Sequence, residues 1–205
     1  MENQKKTADL HIVGMDPSML NWGISRGVLS LDLQNLKNSK LRIEKLQVIR
    51  PVKPDKKQVR TVSVDLIAAE QLAKGVASVV DGAQLIFVEM PVGSQNASGM
   101  KAYGICTGIM GTLRAHGTNF FEVTPSEVKI TTVGSKTATK EDMINWARKQ
   151  HPEAPWPYHG KNLNAGLAEH MADSIAAIYA GLKTKEFQQM LELIRTQALI
   201  THSKE

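Results

Sequence analysis

Three acids and one histidine in this chain have types and positions that suit joint chemistry. Asp16 closes the apolar run His11–Met15, and Glu89 closes the apolar run Gln84–Val88. A buried charge without a partner is costly. A carboxylate at such a place therefore points into solvent, caps a turn, or faces the crevice at the C-terminal edge of a sheet, where open α/β folds hold ligands. Singly, each reads as a strand-end residue; together, on strands that can be neighbours, they form a candidate site. His170 and Asp173 are three apart on a helical stretch and so share a face. That face lies away from the apolar stripe Met171, Ile175, Ile178 and Leu182, and alongside Ala172, Ala176, Ala177 and Ala180. Alanines permit close approach, which places the sheet on that side. Asp173 reads equally as a cap or surface ion pair near the helix start. Three carboxylates and an imidazole make a hard, oxygen-rich donor set that suits Mg²⁺ or Mn²⁺ better than zinc. Shared carboxylates can hold two such ions about 4 Å apart, the arrangement used for in-line phosphodiester hydrolysis. Such chemistry needs no covalent nucleophile, and no serine or cysteine nucleophile signature is present.

The elements that must position these residues follow from periodicity. Apolar runs at His11–Met15, Ile24–Asp32 and Leu41–Arg50, joined by polar or Pro-bearing links at 17–23 and 35–40, predict three leading strands. Val62–Val80 has helical spacing and stops at Asp81-Gly82. Gln84–Val88 predicts a buried strand and Asn119–Val123 another. Ala97–His116 predicts a helix rich in small residues, Gly99, Gly104, Gly108 and Gly111, which admit a close neighbour at some cost in helix propensity. Thr124-Pro-Ser-Glu127 has the spacing of a capping box with an early proline. Helices are predicted over Thr139–Gln150, Leu167–Leu182 and Thr184–Leu199, with the proline-bearing segment His151–Gly166 as a loop. Three strands on short links suggest an antiparallel meander, and the later alternation of strand and helix suggests parallel additions. The expected fold class is α/β, a mixed sheet with helices on both faces.

Length and charge bound the rest. At 205 residues the chain has room for one domain, and 42% hydrophobic and 22% charged residues are ordinary for a folded protein. No apolar stretch approaches the roughly 18 residues of a transmembrane helix, and no secretory signal is legible at the start. The single cysteine, Cys106, excludes a disulfide framework or a cysteine zinc site. These features predict a cytoplasmic, membrane-free protein. The net charge of +5 is uneven: residues 1–60 carry twelve Lys/Arg against six Asp/Glu. The densest run, Arg50 to Arg60, fits an anionic partner such as nucleic acid, or a solvated loop.

The ordered set Val13-Gly-Met-Asp16-Pro-Ser, Phe87-Val-Glu89 with Asn96-Ala97, Thr124-Pro-Ser-Glu-Val-Lys129 with Gly134 and Thr139-Lys140, and Ala172-Asp173-Ser-Ile-Ala-Ala resembles the RuvC Holliday-junction resolvases of the RNase H-like nuclease superfamily. The resemblance covers about residues 10–182. It implies an RNase H-like nuclease domain over 10–183, preceded by a flexible N-terminus at 1–9 and followed by a C-terminal amphipathic helix and tail at 184–205. It also implies Asp16, Glu89 and Asp173 as metal carboxylates, with His170 as a fourth metal-site residue. Lys129 and Lys140 match lysines that the family places near the scissile strand, where a cation positions phosphate and neutralises developing charge. Glu169 is adjacent but out of register with the pattern. The implied activity is paired nicking of four-way DNA junctions by a Mg²⁺-dependent (or Mn²⁺-dependent) homodimer with two ions per site, since a two-fold protein matches a two-fold substrate. The short, divergent chain looks like a phage-type member.

Two features depart from the family. Its members carry an aromatic residue soon after the catalytic Glu, whereas Met90–Gln95 has none. The usual GxDPG is GMDPS here. A broader branched- or flap-DNA nuclease is therefore the main alternative, with an actin-like phosphotransferase or ATPase and a non-catalytic DNA-binding relative as more distant ones. The helix 97–116 reads as a dimer surface or as packing for its own sheet. Trp22 reads as hairpin packing or a DNA contact. The Trp156-Pro-Tyr158-His159 segment with Lys161 reads as a loop anchor or as a platform for unpaired bases. The stripe Phe187, Met190, Leu191, Ile194 and Ala198 on the last helix is expected to pack on this domain.

Overall fold

A computed structural model of the chain describes residues 7–32, 38–55 and 60–202. Lys56 and Lys57 of the basic run, part of the 35–40 link and residues 1–6 of the N-terminal segment lie outside them. Residues 7–9 belong to the first strand. The elements run β1 (Thr7–Asp16), β2 (Trp22–Asp32), β3 (Lys40–Ile49), α1 (Thr61–Val80), β4 (Leu85–Glu89), α2 (Ala97–Ala115), β5 (Phe121–Val123), α3 (Pro125–Thr132), α4 (Lys140–Gln150), β6 (Tyr158–His159), β7 (Asn162–Leu163), α5 (Ala165–Gly181) and α6 (Lys185–His202).

Five strands form one mixed sheet in the order β3-β2-β1-β4-β5. β1, β2 and β3 pair antiparallel, whereas β4 joins β1, and β5 joins β4, in parallel. Each parallel step crosses over through a helix, as parallel pairs require. The two-residue period of a strand then divides the core. Val13, Met15, Ile86 and Val88 face α1 and α2, where they pack with Leu72, Val76, Cys106 and Met110. Ile12, Leu29, Leu31 and Phe87 face the other way, onto Met171, Ile175 and Ile178 of α5 and Phe187 and Leu191 of α6. Helices thus cover both faces.

Local sequence signals explain most boundaries. Thr124 caps α3 and Thr139 caps α4, each in a reciprocal box with Glu127 or Asp142. β1 starts four residues earlier than the apolar run, because polar Thr7–Asp9 still pair with Ser30–Asp32 of β2. Two expectations need correction. The segment 151–166 is not wholly a loop: its middle forms the β6–β7 hairpin, turning at Gly160 with φ +60. Alternation too short to register in the sequence hides such two-residue strands. The alanine face of α5 also does not all meet the sheet. Ala176, Ala177 and Ala180 pack on Val128 of α3 and Met143 of α4, while the larger stripe, Ile175 and Ile178, meets the sheet. α5 is buried on nearly all sides, so both of its faces must be compact. Phe187 and Leu191 dock α6 on this domain, whereas Ile194 is exposed; the Ala198 side chain lies outside the described part.

Candidate active site

The sheet itself brings the first two acids together. β1 and β4 run parallel with Met15 opposite Val88. One residue further along each strand stand Asp16 and Glu89. By alternation both share the face of Ile12 and Phe87, the face that α5 covers. α5 lies unusually close there. A Cβ on Gly14 would collide with the carbonyl of Ser174, and one on Gly23 with the carbonyl of His170. Those two glycines let the helix backbone touch β1 and β2. Glycine inside a strand marks such an approach, so this determinant was available in the sequence, although nothing there says which element approaches.

The close approach sets the His170 ring against the β1 end. His170 Nδ1 and Asp16 Oδ2 are 2.8 Å apart, and both side chains are largely shielded from solvent. The hydrogen bond to Asp16 raises the His170 pKa despite burial, so the imidazolium is favoured beside the carboxylate. Asp173, one turn on, is pushed up to about 7, first by burial and then by the charges of Asp16 and Glu169, with His170 and Lys129 opposing. Glu89 is pushed up to about 9 by burial, then by Asp16 and Asp173, with Lys129 again opposing. Its Oε2 is buried without a hydrogen-bond partner. The structure therefore draws Asp16, Glu89, His170 and Asp173 into one electrostatic neighbourhood, with Lys129 of α3 close enough to be felt by two of them.

Lys140 opens α4 at the edge of this group. Its Nζ is 2.6 Å from Glu169 Oε1, with the lysine exposed and the glutamate mostly covered. That ion pair raises the Lys140 pKa, and Asp173 adds to it. Glu169, left out of the sequence pattern, is thus part of the neighbourhood: it holds Lys140 and loads further negative charge on Asp173. Its position next to His170 was the only signal for it. Trp22 is fully buried in the core between the sheet and α1/α2, and Trp156 is buried with its indole N–H donating to the His151 carbonyl at 2.9 Å. Neither indole is placed to contact DNA; of the two readings open for each, packing is the one these contacts support.

The donor set fits a hard divalent cation on the chemistry of these residues. Glu89 and Asp173 are both held above the ordinary carboxylate range by burial and by the charge of Asp16, and Glu89 has an orphaned buried oxygen; a cation among them would relieve this. Among the described residues no three His, Cys, Asp or Glu side chains are drawn together tightly enough to grip an ion as they stand. Asp16 is turned toward His170 instead. The group is a set of adjacent donors rather than a closed cage.

No family model matches the sequence, and no curated protein matches it. Solved structures do. T. thermophilus RuvC in complex with Holliday junction substrate is 19% identical, with a TM-score of 0.56 over 83% of this chain and 92% of that one. The Thermus thermophilus RuvC structure is 18% identical, with a TM-score of 0.55 over the same shares. At these identities the similarity shows the fold: a mixed five-stranded RNase H-like sheet, as in RuvC, with helices on both faces.

Proposed function

We propose that the chain is a divalent-metal-dependent, structure-selective endonuclease that resolves four-way DNA junctions by paired nicks. The observation that carries this reading is the shared electrostatic neighbourhood of Asp16 and Glu89, at the C-terminal ends of β1 and β4, and Asp173 of α5, with His170 bonded to Asp16 and Lys129 acting on both raised acids. The RuvC-like fold supports it independently.

Asp16, Glu89, His170 and Asp173 are the residues that would hold two Mg²⁺ ions, with Mn²⁺ as a substitute. Ions held there would supply an activated water and charge stabilisation for a departing 3′ oxygen. The protein's own residues supply the rest. In the ion-free site His170 orients Asp16 and, as imidazolium, offsets the charge of the acids; to hold an ion it would first give up that proton. Glu89 and Asp173, shielded from solvent, present oxygens that few hydrogen bonds compete for. Lys129 and Lys140 set positive charge where a phosphate backbone would enter, and Glu169 fixes the Lys140 ammonium at the edge.

A homodimer matches the two-fold substrate. A groove of about 1050 Å³ between α1 and α2 supports it. It includes Ala69, Ala73, Gly104 and Gly108, and a Cβ on Gly104, Gly108 or Gly111 would meet nothing within 4 Å. These glycines leave open space on α2 within the described chain, and that is the side a second copy would use. No helix is long and apolar enough to cross a membrane among the described residues. This reading includes a cytoplasmic, phage-type enzyme of a bacterial host, and the single cysteine suits a reducing compartment. A broader branch- or flap-cleaving activity is the second reading, favoured by the absence of an aromatic side chain in 90–96 after Glu89.

Side-by-side cleavage of four-way, three-way, flap and linear DNA tests this. Paired, symmetry-related nicks in the four-way junction are the expected result. Equal cutting of all branched forms would shift the assignment to the second reading, and no metal-dependent cutting of any would overturn both.

A further inference from the structure

The catalytic proposal leaves the segment between α4 and α5 without a role. Its stem is rigid. His151 is buried, its Nε2 lies 3.0 Å from Tyr179 Oη, and the Trp156 indole closes on its carbonyl. On this stem the β6–β7 hairpin turns at Gly160 and exposes Tyr158, His159 and Lys161. Tyr158 is 49% exposed and belongs to no core cluster among the described residues. Arg148 of α4 donates to Tyr158 Oη at 2.6 Å, and its guanidinium carbon lies 5.7 Å from the ring centroid. A concavity of about 460 Å³ runs from Arg148 to the Lys140–Glu169 ion pair, with Asn145, Leu163 and Gly166 among its walls. The carboxylate of Glu169 is met by Lys140, so Glu141 is the remaining acid on that lining.

We propose that the β6–β7 hairpin and this groove form a strand-holding platform. The DNA backbone leaving the acids passes Lys140 and Arg148, and an unpaired base at the branch stacks on Tyr158. The inference rests on the nuclease reading. Three physical arguments carry it. An exposed aromatic ring already held by Arg148 and a buried stem has less freedom to lose when a base stacks on it, and stacking tolerates any base. Arg148 holds the ring with one N–H and keeps donors for a phosphate. From Lys140 to Arg148 the helix rises about 12 Å, which matches about three base-pair steps of duplex at about 3.4 Å of axis each. A hairpin that only kept the surface soluble would need neither the buried histidine and tryptophan beneath it nor the arginine braced against its tyrosine.

Full-length protein is titrated with a fluorescent four-way junction, with Ca²⁺ in place of Mg²⁺, at several salt concentrations. A second junction carries 2-aminopurine at the branch. Tyr158→Ala should weaken binding at least about fivefold and relieve the 2-aminopurine quenching, while Tyr158→Phe, which keeps the ring, retains the quenching. Lys161→Glu should lower the slope of log affinity against log salt by at least about 1. Lys45→Glu, an exposed lysine on the edge strand β3, controls for net charge and should leave affinity and slope at the wild-type values. Wild-type affinity, slope and quenching in both Tyr158→Ala and Lys161→Glu would overturn the platform and leave the nuclease reading standing. A wild-type chain that neither binds nor cuts branched DNA would overturn the nuclease reading, and the platform with it.

Discussion

Replacing Glu89 with glutamine should make the metal-free protein more stable and the enzyme inactive. The Glu89 carboxyl is pushed from 4.5 up to about 9, chiefly by burial and then by Asp16 and Asp173. The sign follows directly. Between those two values the unfolded chain has released this proton and the folded chain still holds it. The folded state therefore binds more protons, and stability falls as pH rises through the window. At 1.36 kcal/mol per unit, the loss from pH 4.5 to pH 8 reaches at most about 4–5 kcal/mol. Relaxation around the carboxyl, and its sharing of the penalty with two neighbouring acids, bring the gain expected of Glu89→Gln to about 1–3 kcal/mol at pH 8. At pH 4.5 or below, where wild type is neutral too, the gain should vanish. Urea unfolding in chelator at pH 4.5 and pH 8 measures both values. Mg²⁺ should then stabilise wild type more than the variant, because only wild type gains an ionised ligand. Junction cleavage should be lost. A variant less stable than wild type at pH 8, or equally shifted at both pH values, would show that Glu89 is not held against its own charge, and the donor-set argument would fail with it.

Asp16→Asn should abolish junction cleavage while binding in Ca²⁺ stays near the wild-type level; normal cleavage by the variant would remove Asp16 from the mechanism. Lys140→Ala should slow cleavage more than it weakens binding, since its ammonium is fixed at the edge of the acids by Glu169; equal losses in both assays would reduce it to a simple phosphate contact. Gly23→Ala should cost at least about 2–3 kcal/mol, because the new methyl meets the His170 carbonyl and must push α5 off β2; unchanged thermal stability would deny the close approach. His151 is buried and its pKa is lowered by burial, so the unfolded chain takes up its proton first as pH falls. Stability should decline below about pH 6.5 for this reason, and His151→Gln should lessen that acid-side slope in pH-dependent thermal melts.

The sequence by itself determined where the acids sit in their elements. An apolar run ending in Asp16, a second ending in Glu89, and the three-residue spacing of His170 and Asp173 follow from period and position alone. So do the cap at Thr124, whose partner lies three residues away, and the order of the five main-sheet strands and the longer helices. Only the tertiary structure decided what depends on contacts across long stretches of chain. The Asp16–His170 bond joins residues 154 apart, and it forms because two glycines admit a helix backbone that no local pattern names. Glu169 entered the site through the same docking, since its register matters only once α4 lies beside α5. Burial worked in the same way on the two tryptophans: composition left Trp22 and Trp156 open as surface contacts, and packing enclosed both. Periodicity reports which face of an element avoids water, but which partner meets that face, and how closely, is settled only when side-chain volumes from distant segments are fitted together.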